Sequence, residues 1–193
     1  MIIIMRESLI KIFLKKNSEL NLSAIRDEEW VQIKHINDSL ELTKIWIIKP
    51  WMSVCDIWTW WGFPLLPLAI SYPDVTFLWI DSVRKKTVAV NEIIEKLELK
   101  NAHVDRTRIE EYNEKKFDVI TARAVAYSDK LLKRSYPLLK KGWYFLFMKQ
   151  KIPEERDLLL QLIKKYHLTL EQEHEYKLYP SDIERVIYVL RKN

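Results

Sequence analysis

Glycine is nearly missing from this chain: 2 among 193 residues, where ordinary usage would supply roughly 13. Cysteine is limited to Cys55, so no internal disulfide can form and a disulfide-stapled secreted scaffold is excluded. The 4 histidines are scattered and show no metal-ligand spacing, so no metal is assigned. No apolar run approaches the ~20 residues that span a bilayer. The longest, Phe63 to Ile70, contains two prolines. The apolar start, Met1 to Met5, meets Arg6 and Glu7 at once and does not read as a signal peptide. These shortages point to a cytoplasmic protein without a membrane role.

Hydrophobic residues make up 48% of the chain and charged residues 31%. That balance fits one globular domain with a sizeable core and excludes collagen-like, disordered and low-complexity classes. Tryptophan is abundant, 8 residues against 2 glycines. Either the protein avoids flexible turns, or tryptophan stands where glycine belongs.

The net charge of +5 is unevenly placed. Residues 121–151 hold eight bases (Arg123, Lys130, Lys133, Arg134, Lys140, Lys141, Lys149 and Lys151) against one acid, Asp129. A local excess of this size suggests a surface for a polyanion. A solvated, lysine-rich helix and loop is the alternative.

Apolar runs alternate with helical patterns. Ser53–Ile57, Val75–Ile80, Phe117–Thr121 and Trp143–Met148 read as buried strands, with a shorter candidate at Ala102–Val104. Continuous runs of this length fit a parallel sheet covered on both faces. Val90, Ile93, Ile94 and Leu97 recur at helical spacing, as do Leu159, Leu162, Ile163 and Tyr166 after Pro153, a residue suited to a helix start. His167–Leu170 and Arg185–Leu190 read as closing strands, and Lys140-Lys141-Gly142 reads as a turn. The pattern predicts an α/β doubly wound sheet with an antiparallel C-terminal edge. Residues 1–49 read as an N-terminal helical extension with Met5, Leu9, Ile12 and Phe13 on one face. Residues 50–193 read as one compact unit.

Ligands of open parallel sheets bind at the carboxyl ends of the strands. The first strand runs into Asp56-Ile57-Trp58-Thr59-Trp60-Trp61-Gly62-Phe63-Pro64. A loop from the first strand to the first helix normally needs glycine, for tight turning and for ligand access to main-chain N–H groups. Three tryptophans in four positions oppose both needs. With glycine at Trp58, Trp60 and Trp61, the loop takes the form of an S-adenosylmethionine (SAM) methyltransferase loop.

The chain resembles the RsmG (GidB) family, which methylates N7 of a guanine in small-subunit (16S) ribosomal RNA. The resemblance runs from about Asn21 to Lys151 and weakens beyond. Its markers are Asn21-Leu22-Ser23-Ala24-Ile25-Arg26-Asp27, His35-Ile36-Asn37-Asp38-Ser39-Leu40, the loop through Phe63-Pro64 to Ile70, Ile80-Asp81-Ser82 with Arg84-Lys85-Lys86, Phe117-Asp118 with Thr121-Ala122-Arg123-Ala124, and Lys149. The family favours glycine where Trp58 and Trp60 stand. Glycine is also easily accommodated at Trp51, Trp61 and Trp143, whereas Trp30, Trp46 and Trp79 are less diagnostic. Losses to a single residue type suggest a codon exchange, UGA read as tryptophan where the native code reads glycine. Two departures do not fit that account: the family often has glycine at Leu65 and at Gln150.

The resemblance implies a Rossmann-like class I SAM-dependent methyltransferase with a mostly parallel seven-stranded sheet. It implies SAM as cofactor, and small-subunit ribosomal RNA or the ribosomal subunit as partner. A monomer is expected. The cofactor set is Asp56, Trp58, Trp60, Gly62, Phe63, Asp81, Ser82, Ile109, Glu110 and Arg123. Asp81 suits two ribose hydroxyls, or a role beside Ser82 at a helix start. Asp56, an acid in an apolar strand, needs a partner, and the SAM ammonium is one. Phe63 lines the cofactor pocket in the family, and Ile109 and Glu110 lie at the adenine end. Arg123 falls where methyl donor meets acceptor, with Lys149 as a second positioning residue.

The RNA-binding set is Arg26, His35, Asp38, Lys130, Lys133, Arg134 and Lys149. His35 also reads as a structural histidine held by Asp38, and Tyr127 as a stacking residue. Guanine N7 carries no proton, so the chemistry needs positioning and no acid or base. Two other readings stay open. Genuine tryptophans would block the pocket and leave an inactive RNA-binding or assembly factor. A nicotinamide Rossmann enzyme shares the loop and the later acid.

Overall fold

The computed structural model describes residues 1–57, 61–123 and 128–193. The order of elements begins with helix α1 (Ile2–Leu20) and a composite helical run. That run starts as α2 (Glu28–Val31), widens to a π-helical turn (Gln32–Asn37), passes α3 (Asp38–Leu40) and tightens to a 3₁₀ turn (Glu41–Ile45). Then follow β1 (Ser53–Ile57), α4 (Leu65–Ser71), β2 (Thr76–Ile80), α5 (Arg84–Lys96), β3 (Ala102–Asp105) and β4 (Phe117–Arg123). The chain closes with α6 (Ser128–Ser135), β5 (Leu139–Gln150), α7 (Pro153–Lys165), β6 (Leu168–Leu178) and β7 (Ile183–Lys192).

The strands form one seven-stranded sheet in the order β3-β2-β1-β4-β5-β7-β6. The first five run parallel, and β7 pairs antiparallel with both β5 and β6. Side chains alternate between faces, as the pleat requires. Val54, Phe77, Trp79, Val119, Leu146 and Met148 enter one core, with residues of α1, α4 and α5. Cys55, Ile57, Leu78, Ile80, Ile120, Phe145 and Phe147 enter the other, beneath α6 and α7. Both faces are covered, which is why these strands are apolar throughout.

The N-terminal extension belongs to the first core. Leu9 and Phe13 of α1 are fully buried there, each contributing on the order of 2 kcal/mol by leaving water. Met5 and Ile12 pack at its margin. α1 ends at Asn21, in the left-handed region at φ 53°, whose N–H returns to the Asn17 carbonyl at 2.9 Å, a common helix stop. α7 begins on Pro153 with Glu154 and Glu155 in its first turn and ends on Lys164 and Lys165, matching the helix dipole.

Several boundaries differ from the sequence expectation. Lys140-Lys141-Gly142 lies inside β5, where pairing jumps from Phe117–Leu139 to Val119–Tyr144 and Gly142 takes φ +83°. It is an irregularity within a strand and not a turn before one. β4 extends two residues further, to Arg123. β6 reaches Leu178, because Glu171 to Lys177 is polar and partly exposed and gives no apolar run to read.

The tryptophans divide by backbone. Trp46, Trp51 and Trp61 have φ of 61°, 70° and 54°. A bulky side chain seldom adopts that region, and each instance costs about 1–2 kcal/mol. Trp46 and Trp51 are also 76% and 86% exposed. Trp79 is fully buried and its indole N–H has no acceptor. Trp58 and Trp60 lie outside the described residues, as does Tyr127.

Gly62 follows Trp61 and carries φ +87°, and a Cβ built on it would stand 2.7 Å from Leu66 Cδ1. Its carbonyl accepts the Leu66 N–H at 2.8 Å as α4 begins. Gly62→Ala is expected to cost about 2–4 kcal/mol, combining left-handed strain with overpacking. Urea unfolding measures this, and a loss below about 0.5 kcal/mol would show that the turn relaxes freely.

Candidate active site

The strand order reverses between β1 and β4, the position where open α/β sheets hold ligands. Asp56 near the end of β1 pairs in register with Thr121 of β4. Both are fully buried, and the Thr121 hydroxyl donates to Asp56 Oδ1 at 2.9 Å. An apolar strand tolerates this carboxylate because it is hydrogen-bonded.

A cavity of about 280 Å³ opens at the carboxyl ends of β1, β2 and β3. Ile57, Ile80, Val83 and Ile109 give it apolar walls, and Asp81, Ser82 and Glu110 add polar groups. Asp81 is positioned by the end of β2 and by the turn into α5. Its Oδ1 accepts the Val83 N–H at 2.8 Å, and Lys86 Nζ stands 3.4 Å from Oδ2. The carboxylate thus steadies the start of α5 and faces the cavity at once. Four residues of the expected cofactor set, Asp81, Ser82, Ile109 and Glu110, meet here. Lys86, Thr107 and Arg108 also line it and were not singled out from sequence. Arg134, expected to bind RNA, lines the same cavity and lies 3.5 Å from Glu110.

Phe63 and Arg123 stand elsewhere. Phe63 is fully buried, stacked on His35 with ring centroids 4.7 Å apart and edge-on to Phe13 at 5.1 Å. This is core packing between α1 and the π-helical turn. Arg123, at the end of β4, turns toward that same turn. Its Nε lies 3.0 Å from Asp38 Oδ2, and its Nη2 donates to the Lys34 carbonyl at 2.6 Å. Asp38 also takes Arg185 Nη2 at 3.2 Å and the Tyr176 hydroxyl at 2.6 Å.

His35 Nδ1 is 3.2 Å from Arg123 Nη2, and its Nε2 is 3.4 Å from Ser23 Oγ. A guanidinium only donates, so Nδ1 accepts and the ring proton sits on Nε2. Burial, aided by the Arg123 charge, pushes the His35 pKa down to about 3.

These contacts place part of the expected RNA set in the interior. Asp38 and His35 are buried, at 1% and 5% exposure, and Asp38 holds Arg123, Arg185 and Tyr176 instead of His35. Lys149 is buried and lies 3.1 Å from Glu155. Arg26 is exposed but caps the end of α1, donating to the Asn17 carbonyl at 3.1 Å and to Asn21.

The +7 excess of residues 121–151 is largely cancelled in space. Arg123, Arg134, Lys140, Lys149 and Lys151 each face an acid from outside the segment: Asp38, Glu110, Asp118, Glu155 and Glu175. Lys140 and Lys141 begin β5, on the edge of the sheet opposite the cavity. Lys130 and Lys133 on α6 are exposed and line a groove of about 430 Å³ with Glu110, Arg134 and Pro137. That groove adjoins the cavity through Glu110 and Arg134.

This fold is shared with solved SAM-dependent methyltransferases. A SAM-dependent methyltransferase from Aquifex aeolicus superposes with a TM-score of 0.67 at 17% identity, over 92% of this chain and 97% of that one. P. horikoshii TYW2, solved in complex with MeSAdo, gives 0.62 at 16% identity, over 81% of this chain and 62% of that one. The sequence is more specific. The GidB family model, rRNA small subunit methyltransferase G, matches residues 5–178. The ribosomal RNA small subunit methyltransferase G of Lachnoclostridium phytofermentans is 37% identical over 187 residues, 94% of this chain and 77% of the relative. That of Lysinibacillus sphaericus is 30% identical over 188 residues, 94% and 79%. The chain belongs to the rRNA small subunit methyltransferase G family.

The His35 environment has a measurable consequence. Its folded pKa, about 3, lies below the ordinary value of 6.5, so the unfolded chain binds a proton that the folded one refuses. Stability should therefore fall as pH drops from 6.5 toward 3, by up to about 1.4 kcal/mol per pH unit from this group. Urea unfolding between pH 6.5 and 5 should show a shallower slope in His35→Gln. Equal slopes in both proteins would mean that His35 is not buried in neutral form.

Proposed function

We propose that the protein methylates N7 of guanine in small-subunit ribosomal RNA, with SAM as the methyl donor. The observation that carries this is the cavity at the carboxyl edge of the sheet, in a chain of this family. Its chemistry fits a nucleoside: Asp81 offers carboxylate oxygen to ribose hydroxyls, Ile57, Ile80 and Ile109 flank a flat base, and Glu110 can accept from the adenine amine. Asp56, beside Thr121, suits the amino-acid end. Bound there, SAM supplies an electrophilic methyl group. The N7 lone pair would take that methyl group, the C–S electron pair staying on sulfur and the positive charge passing to the purine.

The protein's own task is alignment, since N7 carries no proton to remove. Arg123 ends β4 at the edge where donor and acceptor would meet, and Lys149, nearby on β5, is the second positioning residue. Residues 50–193 form the catalytic unit, with 1–49 as its helical extension, acting as a monomer in the cytoplasm. RNA phosphates would follow Lys130, Lys133 and Arg134 along the α6 groove, with the target guanine unstacked.

The loop between β1 and α4 completes the cofactor site when residues 58, 60 and 61 are glycine. The left-handed backbone at 61 supports that reading, since it is a conformation natural to glycine. The same holds at 46 and 51.

Calorimetry with SAM and methyl transfer to small ribosomal subunits test both ideas together. The form with glycine at 58, 60 and 61 should bind SAM and transfer methyl to N7. The tryptophan form should do neither, and equal binding by both would overturn the loop account. For RNA, log affinity should fall against log salt, with the slope reduced by about 0.7 for each phosphate-contacting lysine replaced. Unchanged slopes in Lys130→Ala and Lys133→Ala would remove α6 from the RNA surface.

A further inference from the structure

The cluster around Asp38 is unusual in its charge balance. Two guanidiniums, Arg123 and Arg185, converge on one carboxylate oxygen, Asp38 Oδ2, at 3.0 and 3.2 Å. The other oxygen accepts the Tyr176 hydroxyl at 2.6 Å. Asp38 is 1% exposed and Arg123 is 8% exposed. Among the described residues no second acid lies within ion-pair distance of either arginine. Arg123 Nη1 and Arg185 Nε are buried without a hydrogen-bond partner. The neighbour on the remaining side, His35, stays uncharged and adds no counter-charge.

The four side chains come from three places in the fold. Asp38 sits where the π-helical turn passes into α3, in the N-terminal extension. Arg123 ends β4 at the carboxyl edge. Arg185 and Tyr176 face each other across the β6–β7 pairing. A buried carboxylate between two like charges is a strong constraint, because removing it leaves both guanidiniums uncompensated.

We propose that Asp38 is a positioning residue for methyl transfer: from the N-terminal extension it fixes the Arg123 guanidinium at the carboxyl edge of β4. The extension is then a working part of the active site as well as a cover for the sheet. This rests on the reading of Arg123 as a residue of the methyl-transfer edge. Asp38 itself touches neither cofactor nor RNA. It sets the direction of Arg123, and Tyr176 sets the direction of Asp38.

The test uses the full chain in the loop form that binds SAM, with three readouts. Asp38→Asn should lower kcat for methyl transfer to small ribosomal subunits about 100-fold, the scale expected from misalignment. The dissociation constant for SAM, which depends on the cavity at Asp81 and Ile109, should change less than about 3-fold, well below that misalignment effect. The Arg123 Nε–H signal in ¹⁵N NMR, slow to exchange while paired, should exchange much faster, with backbone amides of β4 still protected. Tyr176→Phe removes one hydrogen bond and keeps the charge. It should move kcat and Nε–H exchange the same way by several-fold, so the idea remains testable if Asp38→Asn does not fold.

Wild-type kcat and Nε–H protection in the variants would overturn the proposal. So would equal losses in kcat and SAM affinity, which would indicate general damage. If the unaltered protein transfers no methyl group, the proposed function fails instead, and the Nε–H exchange still decides whether Asp38 fixes Arg123.

Discussion

The path of the chain from β1 into α4 is a steric constraint on which the cofactor site depends. β1 delivers Asp56 and Ile57 to the carboxyl edge, and the backbone must then reverse tightly enough for Leu65 to begin α4. It does so through left-handed conformations at residues 61 and 62. At 62 glycine is favoured twice over, by φ +87° and because a Cβ would stand 2.7 Å from Leu66 Cδ1. At 61 the backbone takes a glycine-like form while bearing an indole, and Lys86 Nζ lies 5.8 Å from the centroid of that ring. Asp81, beside Lys86, is a wall of the cavity. The residue type at 61 therefore bears on Lys86, which lines that cavity, as well as on the strain of the turn.

A second constraint is electrostatic. Burying the charge of Arg123 requires a counter-charge, and the nearest comes from a segment more than eighty residues earlier in the chain. The π-helical widening at Gln32–Asn37 directs both His35 and Asp38 inward, and such widenings are frequent at functional sites. His35 can lie against a guanidinium only as a neutral ring. The extension is joined to the sheet by apolar packing at Leu9 and Phe13 and by this polar cluster, so its position and that of Arg123 are linked.

Much of the architecture was legible because buried parallel strands are apolar on both faces. Ser53–Ile57 and Phe117–Thr121 could be read as strands without ambiguity. β6 was legible only at its start, since an edge strand with glutamates facing water has no such signature. Asp81, Ser82, Ile109 and Glu110 were legible through family resemblance, and the fold brings them to one cavity. The charge excess was legible only as a sum along the chain, because sequence proximity of bases says nothing about acids that approach from other elements. Lys149 and Glu155 illustrate this within a single strand-to-helix connection. The partners of Asp38 were out of reach, since Arg185 and Tyr176 sit in strands whose register with the extension no local pattern encodes. Trp46 was ambiguous in sequence and became informative once its backbone was known.

The positive φ values at 46, 51 and 61 and the scarcity of glycine fit one proposed explanation, tryptophan standing at glycine positions. The cofactor site, and with it the methyl transfer, depends on that explanation holding at the loop. Peptide mass spectrometry of the protein isolated from its native cells reads those residues directly. Glycine at positions 58, 60 and 61 is the predicted result, and tryptophan at these positions would contradict the account.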